Sequence, residues 1–272
     1  MSHTKKAVIL ARGLGSRMRK TSDTASVSSK QASVAAQGIK ALIPIKRPFL
    51  DYVMSNLIKA GYTDVCLVIG EEHQAIRDYY DHEAGVSRIN VHYAIQQEPR
   101  GTADAVLAAE AFAGDDSFIV MNSDNYYPPE AFELLGSDDQ AGVVAFDRQV
   151  MIEESNVAED RLAGYAIVET DENDCLVKIH EKPSEEVMQA FGEHALISMN
   201  CWRFTKSIFE ACKQIELSPR GEYEITDAVS RDVQNSGKGY HVYRSNAPVL
   251  DLSCQDDIAS VTAHIGDMEV VL

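Results

Sequence analysis

Strand-like and helix-like segments alternate along the first half of the chain, and this alternation constrains the fold more than any other feature of the sequence. Four apolar runs of strand length are separated by segments whose apolar residues recur at helical spacing. The apolar runs are AVILA, DVCLVIG, INVHYAI and DSFIVMNSD, and the helical segments are PFLDYVMSNLIKAGY, EEHQAIRDYYDH and TADAVLAAEAFA. This β-α-β-α order predicts a parallel sheet with helices on both faces, in which ligands bind beyond the carboxyl ends of the strands.

The second half of the chain has a different rhythm, which predicts a more mixed sheet. The segment AGYAIVETDENDCLVKIHEKP has the pattern of two strands joined by a turn at DEND. Further strands are predicted at ISMNCWRF, KGYHVYRS and APVLDL, and helices at KSIFEACKQI, ITDAVSRDVQ and CQDDIASVTAHI. Because no linker or repeat divides the chain, we predict a single Rossmann-like α/β domain over residues 1–272, with a mixed sheet and helices on both faces.

The charge of the chain excludes several kinds of partner. The 272 residues include 42 Asp and Glu against 25 Lys and Arg, a net charge of −17, and a field of this sign repels nucleic acid and anionic membranes. No apolar stretch is long enough to span a bilayer. The five cysteines are odd in number and none is spaced as CxxC, which argues against a disulfide framework or a zinc site. We therefore predict a cytoplasmic protein that binds neither nucleic acid nor membrane.

A glycine-containing turn followed by basic residues interrupts this acidic background near the amino terminus. Gly13 and Gly15 follow the first apolar run, and Arg17, Arg19 and Lys20 follow the glycines. The segment GLGSRM has neither the GxGxxG pattern of dinucleotide-binding proteins nor the GxxxxGK[ST] pattern of P-loops. Two glycines still let backbone N–H groups approach phosphate oxygens, so the turn and Arg17 are candidates for phosphate binding. Packing of a strand against a helix is the alternative role of the glycines.

Other polar residues stand at the ends of predicted elements. Lys40 precedes an apolar segment that we read as a strand, and Gly101 and Thr102 open a helix. Asp124 and Asp251 each end a predicted strand, where two carboxylates can hold a magnesium ion against phosphate oxygens. Taken alone, Asp124 has the simpler interpretation of a turn former or helix cap.

Residues 21–38, TSDTASVSSKQASVAAQG, are small and polar and show no periodicity. A loop of this length is usually a lid or a disordered segment. We therefore predict a flexible loop directly after the basic cluster. The sequence leaves open whether this loop closes over a ligand as a lid or is a passive surface insertion.

Six motifs, in order along the chain, resemble the sugar-1-phosphate nucleotidyltransferases, also called nucleotide-sugar pyrophosphorylases. LARGLGSRM resembles their opening LAGGxGTRL, KALIPI their PKxLLPV, and SDN the GDN of the glucose-1-phosphate thymidylyltransferases. HEKP is similar to EEKP, SPRGEYEITDAV to RGExEITD, and VLDLSCQDDIASV to WLDxGTPEDLxxA. The resemblance runs from about residue 6 to about residue 262 and is nearest to the thymidylyl- and uridylyltransferases. It implies the GT-A-like fold of nucleotide-diphospho-sugar transferases, with a nucleotide-binding half over about residues 1–125 and a sugar-phosphate half over about 126–272.

The resemblance also implies a reaction and a set of site residues. A nucleoside triphosphate and a sugar 1-phosphate would give a nucleotide sugar and pyrophosphate, with Mg²⁺ as cofactor. Arg17 and Lys40 would act as catalytic residues that neutralise the charge of the triphosphate. Lys182 would do the same for the sugar phosphate. The other implied positions are Ala11, Gly13, Gly15, Gln96, Gly101 and Thr102 for the nucleotide, Gly164, Glu181, Asn200, Arg220 and Glu224 for the sugar phosphate, and Asp124 and Asp251 for the metal ion.

Three features depart from the family pattern. Arg12 replaces the second glycine of LAGG, where a side chain would either crowd the nucleotide or add a phosphate contact. Ile39 replaces the proline before the signature lysine, and the segment between Arg17 and Lys40 is longer than is usual in the family. The placement of the phosphates is therefore the part of the site that the resemblance describes least well.

The sequence leaves the substrates and one alternative function open. SDN and RGEYEITD favour thymidylyl or uridylyl transfer, whereas GTADAV is also similar to ADP-glucose pyrophosphorylases, whose hexapeptide-repeat domain is not expected here. The acceptor could equally be a cyclitol or alcohol phosphate, and the chain could form a homo-oligomer. A non-catalytic nucleotide-sugar-binding regulator on the same fold is the alternative function. A glycosyltransferase is disfavoured because SDN lacks the second aspartate of a DxD motif.

Overall fold

The computed structural model describes residues 5–22 and 24–272 and contains a nine-stranded central sheet. In chain order, the strands of the protein are β1 Lys6–Leu10, β2 Asp64–Ile69, β3 Asn90–Ile95, β4 Phe118–Asn122, β5 Asn125–Tyr126, β6 Gly142–Asp147, β7 Ile167–Thr170, β8 Leu176–His180, β9 Leu196–Phe204, β10 His241–Ser245 and β11 Leu250–Asp251. Seven strands of the central sheet follow the order β10-β6-β9-β4-β1-β2-β3, and β7 pairs with β8 and β9. Strands β5 and β11 form a separate two-stranded sheet.

Twelve α-helices lie in the described part of the chain. They are α1 Ser29–Gln37, α2 Phe49–Lys59, α3 Gln74–Asp78, α4 Thr102–Ala108, α5 Glu110–Ala113, α6 Pro129–Gly136, α7 Arg148–Glu154, α8 Glu159–Leu162, α9 Glu185–Phe191, α10 Ser207–Gln214, α11 Ile225–Ser236 and α12 Asp257–Ile265. A π-helical turn, Tyr79–Glu83, continues α3, and a 3₁₀ turn covers Lys40–Leu42. None of the described helices is long and apolar enough to cross a membrane.

The central sheet is mixed, as the change of rhythm along the sequence predicts. Strands β1, β2, β3 and β4 are parallel neighbours, whereas β9 runs antiparallel to both β4 and β6. The predicted hairpin at DEND is the antiparallel pair of β7 and β8. Strand β6 has no distinct pattern in the sequence. It pairs with β9 and with β10, and β10 is the strand at the end of the sheet order. One mixed α/β domain therefore forms, with helices on both faces.

The inner parallel strands β1, β2 and β4 are largely apolar and buried because helices cover the sheet on both sides. Successive residues of β1 point to opposite faces, so Ile9 belongs to one hydrophobic core and Val8 to the other. The first core also contains residues of α2, α6 and α12, and the second contains residues of α4, α10 and α11. Trp202 of β9 is fully buried in the second core.

Two features bring the candidate site together at one edge of the sheet. Ala11, Gln96 and Ser123 continue the backbone ladder just beyond β1, β3 and β4, so the carboxyl ends of these strands lie side by side. The small sheet then pairs Asn125 of β5 with Asp251 of β11. The backbone N–H of Leu252 also donates to the carbonyl of Asp124 at 2.8 Å, so the two predicted metal carboxylates come from adjacent backbones.

The prediction of a loop over residues 21–38 is wrong for its second half, which forms α1. A capping box begins this helix, because the Ser28 side chain accepts from the N–H of Gln31 and the Gln31 side chain accepts from the N–H of Ser28. Gly38 ends it in the left-handed conformation, with φ of 77°. The helix also packs Ala35 into the first core. Capping therefore supplies the helix signal that hydrophobic periodicity lacks.

The segment after Lys40 is also not the predicted strand. It forms a 3₁₀ turn over Lys40–Leu42 and then a single bridge between Pro44 and Pro48. Prolines at both positions prevent a continuous ladder, because proline has no backbone N–H to donate.

Candidate active site

The glycine-containing turn packs its backbone directly against the residues that precede Lys40. Gly15 has φ of 60°, and a Cβ atom at this position would overlap the backbone of Gly38. Only glycine fits both the conformation and this close approach. The contact holds the turn beside the lysine, although the two lie far apart along the chain.

A cleft of about 390 Å³ opens at this edge of the sheet. Its lining includes nine of the residues predicted for the nucleotide, its charge and the metal ion, namely Ala11, Gly13, Gly15, Arg17, Lys40, Gln96, Gly101, Thr102 and Asp124. A larger cavity of about 1130 Å³ lies at the amino ends of several strands and is lined by none of them. The nucleotide-binding predictions therefore converge on one place.

Lys40 and Asp124 form an ion pair inside this cleft. The Nζ atom of Lys40 lies 2.8 Å from Oδ2 of Asp124, and both side chains are mostly buried. Arg17, in contrast, is exposed, and its side chain has no partner among the described residues. Among the described residues, the cleft thus offers an anionic ligand both a cation paired with a carboxylate, Lys40, and an exposed cation, Arg17.

Asp251 is buried and accepts several hydrogen bonds. Its Oδ2 atom accepts from Arg161 at 2.6 Å, from Tyr165 at 2.7 Å and from Ser253 at 2.7 Å. Its Oδ1 atom accepts a longer bond of 3.2 Å from Asn125. Burial, followed by the negative charge of nearby Asp124, raises the pKa of Asp251, and the hydrogen bonds and Arg161 oppose this rise.

The segment EESNVAEDR, residues 153–161, supplies two residues that form hydrogen bonds with Asp251. The side chain of Asn156 bonds both the backbone N–H and the carbonyl of Asp251, each at 2.8 Å. Arg161 bridges Asp251 and Asp257, with both distances 2.6 Å. Sequence reasoning therefore missed Asn156, Arg161 and Tyr165 as supports of the candidate metal carboxylate. An acidic stretch around one arginine gives no periodic signal that could have identified them.

The donor set of Asp124 and Asp251 fits Mg²⁺ through their carboxylate oxygens. Oδ1 of Asp251 accepts a single long bond, so it can serve a cation. Among the described residues, no group of three or more His, Cys, Asp or Glu side chains could hold a metal ion. Two carboxylates are nevertheless sufficient for magnesium at a phosphate site, because substrate oxygens and water complete its shell.

The residues predicted to contact the nucleobase are joined by hydrogen bonds near the start of α4. The Nε2 atom of buried Gln96 donates to the carbonyl of Gly101 at 3.1 Å and to Asp104 at 2.9 Å. A Cβ atom at Gly101, which has φ of 116°, would overlap the backbone of Tyr223. The hydroxyl of Thr102 accepts from the N–H of Ile225 at 2.9 Å and caps α11. The base side of the cleft is thereby joined to the loop that precedes α11.

The residues predicted for the sugar phosphate lie outside the cleft lining. Arg220 is paired with Glu224 at 2.5 Å and lies 3.6 Å from Glu222. Desolvation, followed by the charge of Glu224, raises the pKa of Glu181. These three carboxylates and Arg220 therefore surround the start of α11.

Three further predicted positions occupy unusual or exposed backbone. Lys182 and Asn200 have φ of 45° and 55°, in the left-handed region. Asn200 lies where β9 shifts register against β6, so a bulge turns the strand at this point. Gly164 lies in an exposed turn, where its N–H donates to the carbonyl of Arg161 at 3.0 Å.

Arg12, the departure from the family pattern, is turned towards the loop after β2. Its Nε and Nη2 atoms donate to the Glu72 carboxylate at 3.2 and 3.4 Å. The side chain is only 9% exposed and still lines the cleft. The sequence leaves open whether this side chain crowds the nucleotide or adds a phosphate contact. The pairing with Glu72 does not by itself decide between the two.

Residues 6–251 match the model of the family described as nucleotidyl transferase. The chain belongs to this family. As a nucleotidyl transferase, it is 27% identical over 253 residues to the UTP–glucose-1-phosphate uridylyltransferase AglF of Haloferax volcanii, with 92% of each chain covered. It is 31% identical over 232 residues to a glucose-1-phosphate thymidylyltransferase of Streptomyces antibioticus, with 85% of this chain and 58% of that protein covered.

The fold of this nucleotidyl transferase is that of a solved UDP-glucose pyrophosphorylase. The two structures superpose with a TM-score of 0.74 at 18% sequence identity, covering 98% of this chain and 100% of the other. The chain spans 56% of the length of another relative, the nucleotidyltransferase Agl11 of Haloferax volcanii. The family and fold predicted from the six motifs are thus confirmed.

Proposed function

We propose that this enzyme transfers a nucleotidyl group from a nucleoside triphosphate to a sugar 1-phosphate and releases pyrophosphate. The observation that carries the proposal is the single cleft lined by the predicted nucleotide residues, with Lys40 and Asp124 paired inside it. The family supports a catalytic protein rather than a non-catalytic regulator of the same fold. UTP and dTTP are the first triphosphates to test, because the similar proteins from Haloferax volcanii and Streptomyces antibioticus are named for uridylyl and thymidylyl transfer.

The chemistry requires positioning and charge neutralisation more than proton transfer. A phosphate oxygen of the sugar 1-phosphate attacks the α-phosphorus, a new P–O bond forms, and the bond to the bridging oxygen breaks in line. Its electron pair leaves on pyrophosphate. The attacking oxygen is already anionic near neutral pH, so no protein base is needed. This requirement agrees with a cleft of lysine, arginine and aspartate side chains.

Arg17 and Lys40 would neutralise the triphosphate. The exposed guanidinium of Arg17 has no partner in the described part of the chain and can bind phosphate oxygens directly, whereas Lys40 must share its ammonium with Asp124. Asp124 and Asp251 would hold Mg²⁺, which supplies additional neutralisation of phosphate charge when bound. Backbone N–H groups of the turn around Gly13 and Gly15 would complete the phosphate cradle.

The second half of the chain would bind the acceptor. We assign the sugar phosphate to Lys182 and Arg220, and the sugar hydroxyls to Gly164, Glu181, Asn200 and Glu224. Support comes from the contact of Thr102 with the start of α11, which joins the nucleotide side to this loop. We place the reaction in the cytoplasm, in keeping with five free cysteines.

Pyrophosphate release over a grid of triphosphates and sugar 1-phosphates tests the proposal. We expect Mg²⁺-dependent release with at least one pair and its near-complete loss in Asp124→Asn. Asp139→Asn, an exposed aspartate at the opposite edge of the sheet, is the matched control and should retain activity. Triphosphate binding without pyrophosphate release from any pair would support the regulator instead.

A further inference from the structure

Arg12 holds a buried donor that none of the residues described by the structure satisfies. Its Nη1 atom is buried and has no hydrogen-bond acceptor among the described residues. An unpaired donor on a buried charged group is costly, so such groups in folded proteins normally have a partner. Because Arg12 lines the cleft, a ligand in the cleft can supply the missing acceptor.

The contact with Glu72 fixes one edge of the guanidinium and leaves the other available. Glu72 binds Nε and Nη2, so the edge that carries Nη1 is not engaged. The two distances, 3.2 and 3.4 Å, are long for hydrogen bonds between charged groups, which are typically about 2.7–2.9 Å. Glu72 therefore orients the guanidinium without saturating it.

The surrounding backbone is shaped to keep this pair in place. A Cβ atom at Gly70 would overlap the Glu72 carboxylate, so a side chain at that position would push Glu72 from its present location. The N–H of Gly70 donates to Nδ1 of buried His73 at 3.1 Å and holds the loop. Arg12 is thus supported by a built arrangement and is not a chance surface arginine.

Positive charge on this side of the cleft favours an anion as the missing acceptor. Burial lowers the pKa of His73, the carboxylate of Glu72 opposes this, and Arg12 and Arg19 both add to the lowering. Two arginines therefore lie near the same histidine, and Arg17 lines the same cleft. A phosphate oxygen is the acceptor that matches several guanidinium groups at once.

We propose that Arg12 binds a phosphate oxygen of the triphosphate through its free edge, with Glu72 as the residue that orients it. This assignment rests on the proposed function, because it takes the cleft as the triphosphate site. It adds a third cation to Arg17 and Lys40 at a position where the family pattern has glycine.

Binding of inorganic tripolyphosphate and of UTP, measured calorimetrically with Mg²⁺, tests the assignment. Tripolyphosphate has no base or ribose, so it reports phosphate contacts alone. Arg12→Gly should weaken tripolyphosphate binding by about ten- to hundredfold, the loss of one charge-assisted contact. If Arg12→Gly does not fold, Arg12→Gln takes its place in the test, because glutamine keeps much of the side chain. It should show a similar loss of tripolyphosphate affinity. Arg88→Gly, an exposed arginine, is the control for lost charge and should bind as the wild type does.

Unchanged tripolyphosphate affinity in folded Arg12 variants would overturn the proposal, as would a wild type that does not bind tripolyphosphate. A loss confined to UTP would also overturn it, because the donor would then contact the base or ribose. The binding assay does not depend on turnover. Loss of tripolyphosphate binding in an enzyme that releases no pyrophosphate would therefore uphold the role of Arg12 while rejecting the proposed reaction.

Discussion

Replacing Arg161 with methionine should destabilise the protein far more than its position in an acidic surface segment suggests. Arg161 makes two bonds of 2.6 Å to Asp251 and Asp257, whose side chains are 4% and 6% exposed. Charge-assisted hydrogen bonds contribute about 1.5–3 kcal/mol each, and they are not additive. Asp251 keeps Tyr165 and Ser253 as donors. Because Arg161 itself is 30% exposed, solvent screening reduces the sum to about 2–4 kcal/mol.

Thermal unfolding in the presence of a chelator measures this loss, since the chelator removes any contribution from bound metal. A loss of about 2–4 kcal/mol corresponds to a fall in Tm of about 4–8 °C for a chain of this size. Arg244→Met is the matched control, because Arg244 pairs with Asp174 at an exposed site and should cost at most about 1 kcal/mol. Equal losses in the two variants would refute the reasoning.

The loss in Arg161→Met should also depend on pH. The pKa of Asp251 is raised in the folded protein, so the folded state binds its proton more tightly than the unfolded state does. Ionisation of Asp251 therefore costs stability as pH rises above its ordinary pKa of 3.8. Removing Arg161 increases this cost, so the gap between variant and wild type should widen from acidic to neutral pH. A gap that narrows would contradict this account.

Three further predictions concern the residues proposed to bind substrates and metal. Asp124→Asn and Asp251→Asn should each nearly abolish turnover while leaving the fold intact, and full Mg²⁺-dependent activity in both would exclude a shared metal ion. Arg17→Ala should weaken the triphosphate, and Lys182→Ala the sugar phosphate, by about ten- to hundredfold in steady-state kinetics; equal effects on both substrates would count against the division. Residues 21–38 should gain protection from hydrogen exchange when triphosphate binds, and identical protection in both states would identify a fixed segment.

Sequence patterns predicted the elements that obey local rules. Strand β1, the turn at Gly13 and Gly15, and Asp124 at the end of β4 follow from periodicity and strand-end position, and the structure brings them to one cleft. Helix α1 was not predicted because its sequence has no apolar stripe at helical spacing. What marks its start is the reciprocal capping between Ser28 and Gln31.

Contacts between distant residues could not be read from the sequence. Arg12 and Glu72 are separated by 60 positions, and Arg161 and Asp251 by 90. Either arginine could have paired with many of the 42 acidic residues in the chain. The choice depends on which loops the sheet order places side by side, and that order includes β6, whose pattern gave no distinct signal.

The pairing of β5 with β11 makes the proposed metal site a late product of folding. Asn125 and Asp251 are 126 positions apart, and closing a loop of that length costs roughly 4 kcal/mol of chain entropy beyond a constant. Local helices and the neighbouring parallel strands can form before this closure, but the two carboxylates cannot meet until it is complete. A nascent or partly folded chain therefore cannot assemble the pair. Metal and triphosphate binding should select the fully folded protein and shift the folding equilibrium towards it in proportion to ligand concentration.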